Sequence, residues 1–130
     1  MWCCQRMTKK KKILVIDDER ITTQLVQVFL ERYDFEVVCA YDGVEGIEVA
    51  RAEKPDLILL DIVLPKKDGF EVCEELRSDP DFKDVRILMF TAMGYSEDIA
   101  RSLEVGANDH IIKPFSGQNL LAVIKKQLGL

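Results

Sequence analysis

No stretch of this sequence approaches the ~20 consecutive apolar residues that a membrane-spanning helix requires, so an integral helical membrane protein is excluded. A broad basic face is missing as well. The net charge is -5, and the only cationic cluster is Lys9 to Lys12, ahead of the first apolar run. Direct nucleic-acid binding is therefore not expected, and the lysines read as a solvated lead-in. The four cysteines, at 3, 4, 39 and 73, have neither zinc-ribbon nor redox-pair spacing. Cys39 and Cys73 fall inside predicted elements, where cysteine serves as a small buried hydrophobe. Histidine occurs once, at position 110. The opening MWCCQRMTKKKK lacks the apolar centre of a secretory signal, so a reducing cytoplasm without membrane attachment is the expected setting. Repeats, low-complexity tracts and linkers are absent too. What is present, 130 residues of which 48% are hydrophobic and 32% charged, suits one globular unit. Residues 1–11 read as a tail and 12–130 as the domain.

Five short apolar runs read as strands: Ile13 to Ile16, Glu36 to Ala40, Leu57 to Leu60, Arg86 to Phe90, and His110 to Ile112. Four are nearly continuous in Ile, Leu, Val or Phe, as strands covered on both faces are. Helical periods fill the gaps. Leu25, Val28, Phe29 and Arg32 share one face of the first helix, opposite Thr22, Thr23, Gln24 and Gln27. Val44, Ile47 and Ala50 mark the second, after the Asp42-Gly43 turn signal. Phe70, Cys73 and Leu76 mark the third, which stops at Ser78-Asp79-Pro80. Ser96 reads as the N-cap of the fourth, which Gly106 ends, and Ser116 as that of the fifth, with Leu120, Val123, Ile124 and Leu128 as its apolar stripe. Five alternations of strand and helix predict an α/β fold, a doubly wound five-stranded parallel sheet with five helices. The flavodoxin-like strand order 2-1-3-4-5 is the expected one.

Ligands of such sheets sit beyond the carboxyl ends of the strands. Here those ends carry Asp17 and Asp18, with Glu19 behind, then Asp61, Thr91, and Lys113 followed by Pro114. Like charges ~4 Å apart repel by about 4 kcal/mol at an effective dielectric of 20, so the acids need cationic partners. Lys113 supplies one, and Mg²⁺, which binds through one or two carboxylates plus waters and phosphate oxygens, suits the remainder. A carboxylate can also accept a phosphoryl group, and Asp61, alone at the tip of a central strand, is the best placed to do so. Singly, each residue has an ordinary explanation as a cap, a turn residue or a solvated charge. Their joint position on four strand ends favours a site.

ILVIDDE, LILLDIVLPKKDG, ILMFTA and GANDHIIKPF together resemble, in order and spacing, the four signature blocks of the receiver domain of two-component response regulators. The resemblance covers Lys12 to Leu128, and it includes the sheet order given above, so the two expectations are not independent. It implies a phosphoryl acceptor in a phosphorelay, not an enzyme in the ordinary sense. Asp61 would take the group from a histidine kinase or phosphotransfer protein. Asp18 would bind Mg²⁺ directly, Asp17 through water, and the Val63 carbonyl would complete the protein ligands along with Asp61. Lys113 would pair with phosphoryl oxygens, and the Lys113-Pro114 bond would be cis. Thr91 would close on the group and report it to a downstream effector protein through the face of the fourth helix, fifth strand and fifth helix.

Two departures from the family pattern stand out. The switch aromatic, Tyr or Phe three residues before the lysine, is replaced by His110, whose ring is smaller and titratable. The positions two past the acceptor and two past the threonine are Val63 and Met93, neither able to orient water, which implies a long-lived aspartyl phosphate. Three rivals are weaker. A flavin or nucleotide binder needs a Gly-, Ser- or Thr-rich cradle where Asp17-Asp18-Glu19 stands. An aspartyl phosphatase wants a second acid at Val63. A receiver-fold module that only binds proteins would leave the intact acid pair, Thr91 and Lys113 unused. A monomer or weak dimer is expected, either standing alone or as part of a longer regulator.

Overall fold

The computed structural model describes residues 10–92 and 96–130. Residues 1–9 of the tail expected over 1–11, with Cys3 and Cys4, and the Met93 position lie outside the described residues. The five strands are β1 (Lys12–Ile16), β2 (Glu36–Ala40), β3 (Leu57–Asp61), β4 (Arg86–Ala92) and β5 (Asp109–Lys113). They form one parallel sheet of order β2-β1-β3-β4-β5. The helices are α1 (Arg20–Glu31), α2 (Gly43–Glu53), α3 (Gly69–Arg77), α4 (Ser96–Glu104) and α5 (Gly117–Leu128), with a 3₁₀ turn at Pro80–Phe82. None of the described helices is long and apolar enough to cross a membrane.

Side chains alternate across each strand, and the core divides accordingly. Ile13, Val15, Leu57, Leu59, Leu88 and Phe90 pack with Val26 and Leu30 of α1 and with Leu120, Leu121 and Ile124 of α5. Leu14, Ile16, Ile58, Leu60, Ile87 and Met89 pack with Ile47 and Ala50 of α2 and with Phe70, Val72, Cys73 and Leu76 of α3. Continuous apolar runs in β1, β3 and β4 are thus explained by burial on both faces. Helix starts follow the expected chemistry. The Asp42 side chain accepts from the Glu45 N–H, Ser116 Oγ from the Asn119 N–H, and Asp68 forms a capping box with Glu71. Ser96 differs from expectation, being the first helical residue of α4 rather than its cap. Gly106, at φ 103°, ends that helix region as expected.

The face of α1 is the clear correction. Thr23, Val26 and Leu30 are buried, while Ile21, Leu25 and Val28 are 70%, 66% and 62% exposed. Thr23 enters the core because its hydroxyl donates to the Arg20 carbonyl at 2.9 Å, which removes the penalty of burying it. Phe29 alone of the expected face packs against the core, and only partly. A matched pair of truncations tests this orientation. Leu30→Ala is expected to cost 2–5 kcal/mol of unfolding free energy, and Leu25→Ala less than about 0.5 kcal/mol; urea denaturation of both variants checks the contrast.

Candidate functional site

Residues beyond the carboxyl ends of β1, β3 and β5 converge. Asp17 follows β1 and is fully buried, its N–H bonded to the Ala40 carbonyl at 3.1 Å. One of its carboxylate oxygens accepts the Glu19 N–H at 3.0 Å, and the other takes the Lys113 ammonium at 2.7 Å. Lys113 also reaches Asp61 Oδ2 at 3.3 Å and stands 5.2 Å from the centre of the Phe90 ring. Asp61, the last residue of β3, holds a 3.4 Å contact from the Val63 N–H to its other oxygen. Asp18 is exposed at the rim. Carboxylate oxygens of Asp17, Asp18 and Asp61 all lie within 4.8 Å of one another.

The electrostatics follow from this crowding. Burial raises the Asp61 carboxyl to a pKa of about 6; the Asp17 carboxylate adds to the rise and Lys113 opposes it. Burial by itself would lower the Lys113 pKa, but its bonds to Asp17 and Asp61 outweigh that and the net direction is up. Three carboxylates against one ammonium leave an excess of negative charge, and the donors are all hard oxygens. That set fits Mg²⁺. Asp17 has both oxygens engaged by the protein, whereas Asp18 is open to solvent, so the two acids offer a cation different access.

Thr91, predicted to join the site, lies on β4 one residue beyond Phe90. It is 2% exposed on β4, and among the described residues its hydroxyl is the one buried side-chain polar atom without a hydrogen-bond partner. Strand alternation puts it on the face of Ile87 and Met89, opposite that of Phe90, which pairs with Asp61. His110, on the outermost strand β5, is half-buried, with Nδ1 3.6 Å from Asp109 Oδ1. The Lys113-Pro114 peptide is cis. The Val63 side chain is 77% exposed at the site's mouth.

Sequence reading missed two features beside the site. A groove of about 660 Å³ runs between α1 and α5 from Lys113 and Pro114, past Phe115, to Leu25, Phe29 and Leu120. Assigning Leu25 to the packed face hid it. The connection from β3 to α3 is also strapped to the start of α2 by the Gly43 N–H, which donates to the Pro65 carbonyl at 3.2 Å. The Asp42-Gly43 pair was the available signal, read only as a turn.

The raised Asp61 pKa makes a test with a definite sign. The folded carboxyl keeps its proton up to about 6, while the unfolded one releases it near 3.8, so the folded state holds more protons between those values. Wild-type stability therefore falls as pH rises through that window. In a chelator, Asp61→Asn is expected to be more stable than wild type at pH 7 by about 1–3 kcal/mol, with the gain vanishing below about pH 4; urea melts at the two pH values check it.

With the geometry in place, likeness to known proteins can be stated. The family model for the response regulator receiver domain matches residues 13–125. A probable transcriptional regulator, ycf27 of Cyanophora paradoxa, is 43% identical over 119 residues, which are 92% of this chain and 48% of that protein. The chain thus spans about half the length of this curated relative. Among solved structures, the chemotaxis response regulator CheY4 of Vibrio cholerae superposes with a TM-score of 0.87 at 30% identity, covering 91% of this chain and 98% of that one. The receiver domain of sensor histidine kinase PA1611 from Pseudomonas aeruginosa PAO1, which has a magnesium ion in its active-site cleft, matches at 0.85 and 26%, covering 93% and 99%. The alternating strands and helices, the 2-1-3-4-5 sheet and the acid cluster at its carboxyl edge therefore have one common explanation: this chain belongs to the response regulator receiver domains of two-component systems.

Proposed function

We propose that this domain accepts a phosphoryl group on Asp61, in the presence of Mg²⁺, from a histidine kinase or phosphotransfer protein, and passes the signal to an effector protein in the cytoplasm. The observation that carries the reading is Asp61 at the tip of buried β3, with Lys113 at 3.3 Å and the Asp17 and Asp18 carboxylates beside it. A pKa of about 6 leaves Asp61 mostly ionised at neutral pH and so a competent nucleophile. Its oxygen forms the new P–O bond while the donor's bond to phosphorus breaks and the donor leaves with that electron pair. Lys113 is already positioned to meet the charge on the transferred oxygens. Asp18, Asp61 and the Val63 carbonyl would hold the metal, with Asp17 bound to it through water, and the ion's chemistry is to neutralise charge on the phosphoryl oxygens.

Reporting the modification needs a contact made only in one state. The Thr91 hydroxyl, buried and without a partner, gains a strong acceptor if it turns toward the new phosphoryl oxygens. Movement of Thr91 frees space near β5, where His110 stands in the place of the usual switch aromatic. The groove between α1 and α5 starts at Lys113, which bonds Asp61, and with the exposed Ile21, Leu25 and Val28 of α1 it suits the phosphodonor's approach.

Intact-mass measurement after incubation with a small phosphoryl donor and Mg²⁺ tests the chemistry directly. Wild type is expected to gain one phosphoryl group and Asp61→Asn none; equal labelling of both, or no labelling of wild type, defeats the proposal. The switch has its own test. His110 ring resonances are expected to shift when a phosphoryl mimic is added, and an unchanged ring spectrum would remove His110 from the switch.

A further inference from the structure

The segment from Ile62 to Asp68 carries the Val63 peptide past Asp61, yet β3 ends at Asp61 and does not hold it. Its fixings come from two other elements. On the α3 side, the Gly69 N–H donates to the Ile62 carbonyl at 2.7 Å. On the α2 side three contacts converge. Gly43, the first residue of α2, donates its N–H to the Pro65 carbonyl at 3.2 Å. Lys66, held at φ 70°, reaches Asp42 Oδ2 at 3.5 Å. Lys67 then lies directly on Gly43: a Cβ built there would sit 2.6 Å from Lys67 Cβ and 2.7 Å from Lys67 C, and would overlap its carbonyl oxygen. Because Lys67 meets Gly43 mainly through its backbone, no flexible side-chain tip is available to yield. Any side chain at 43 must push the segment away or shift the helix.

We propose that Gly43 is a positioning residue for phosphoryl transfer, lacking a side chain so that Pro65 to Lys67 can seat on the start of α2 and thereby fix the Val63 peptide beside Asp61. The inference rests on the reading of Asp61 as acceptor. Gly43 itself touches neither the acid cluster nor Lys113. It acts through the backbone of a different loop, whose Val63 N–H faces Asp61 Oδ1. The dependence is steep, because displacement of a reacting group's surroundings by about 1 Å can cost up to 10²-fold in rate.

Gly46 is the control that separates this role from simple stability. It lies on the same helix and is also buried, but a Cβ there would meet Ile16 Cδ1 at 2.7 Å, the far end of a side chain, and not the acceptor segment. Gly43→Ala and Gly46→Ala are compared with wild type, all at a temperature where thermal melts show them folded. Mg²⁺ affinity is read by calorimetry, and phosphoryl uptake from a small donor by intact mass. Gly43→Ala is expected to weaken Mg²⁺ binding and to slow uptake by about tenfold or more, with Gly46→Ala within twofold of wild type on both. Wild-type values for Gly43→Ala, or equal losses in Gly46→Ala, overturn the proposal. Should Gly43→Ala fail to fold, Lys66→Asn, a residue that tolerates the positive φ, removes the anchor of the same segment to Asp42 without the added backbone freedom of glycine; Mg²⁺ affinity unchanged in that variant overturns the proposal equally. A wild type that neither binds Mg²⁺ nor takes up the group instead defeats the acceptor reading, which is a separate outcome.

Discussion

Crowding of like charge at the carboxyl edge of the sheet is the constraint on which the rest of this structure depends. Three carboxylates within 4.8 Å of one another face one ammonium. Left to themselves they would separate or take up protons; burial first, and the Asp17 carboxylate after it, raise the Asp61 pKa. What keeps them together is the rigidity of the strands behind them. Leu57 to Leu60 and Ile13 to Ile16 are all fully buried, and each strand is paired on both sides. The apolar core thus stabilises an arrangement of charges that is locally unfavourable.

The same tension explains the division of labour among the acids. Asp17 is buried because the Glu19 N–H and the Lys113 ammonium satisfy both of its oxygens. It anchors Lys113 as much as it contributes charge. Asp61 has weaker partners, a 3.3 Å ammonium and a 3.4 Å N–H, and so is less tightly held. Thr91 stands one step further away, on the other face of β4, with its hydroxyl unanswered. The site is a graded series from satisfied to unsatisfied polar groups, and its unsatisfied members are those to which a switching role is proposed.

Much of this was legible in the sequence, for definite reasons. Strands buried on both faces must be apolar throughout, so β1, β3 and β4 showed themselves as runs, and the residues ending them marked the site. The face of α1 was not legible. Six of its twelve residues, Ile21, Leu25, Val26, Val28, Phe29 and Leu30, are apolar, more than one face can bury, and Thr23 takes an interior place through a bond to its own backbone. Periodicity cannot reveal which apolar residues face water when both sides carry them. The seat of Lys67 on Gly43 was equally hidden, since it joins the start of α2 to a loop 24 residues later, mainly through backbone atoms. Thr91 was placed at the correct strand end, but which face it takes depends on where β4 stops alternating, and that strand runs two residues beyond the predicted end.

One feature of the sheet bears on all of these. Among the described residues, the one ammonium in the acid cluster is carried by β5, which has a neighbour on one side only, β4. The negative charges sit at the ends of two inner strands, β1 and β3, and their counter-charge sits on an outer plank. Partial neutralisation at the centre is therefore coupled to mechanical support at the margin. Whatever steadies or loosens the outer strand, from however far around the surface, changes the voltage felt at Asp61.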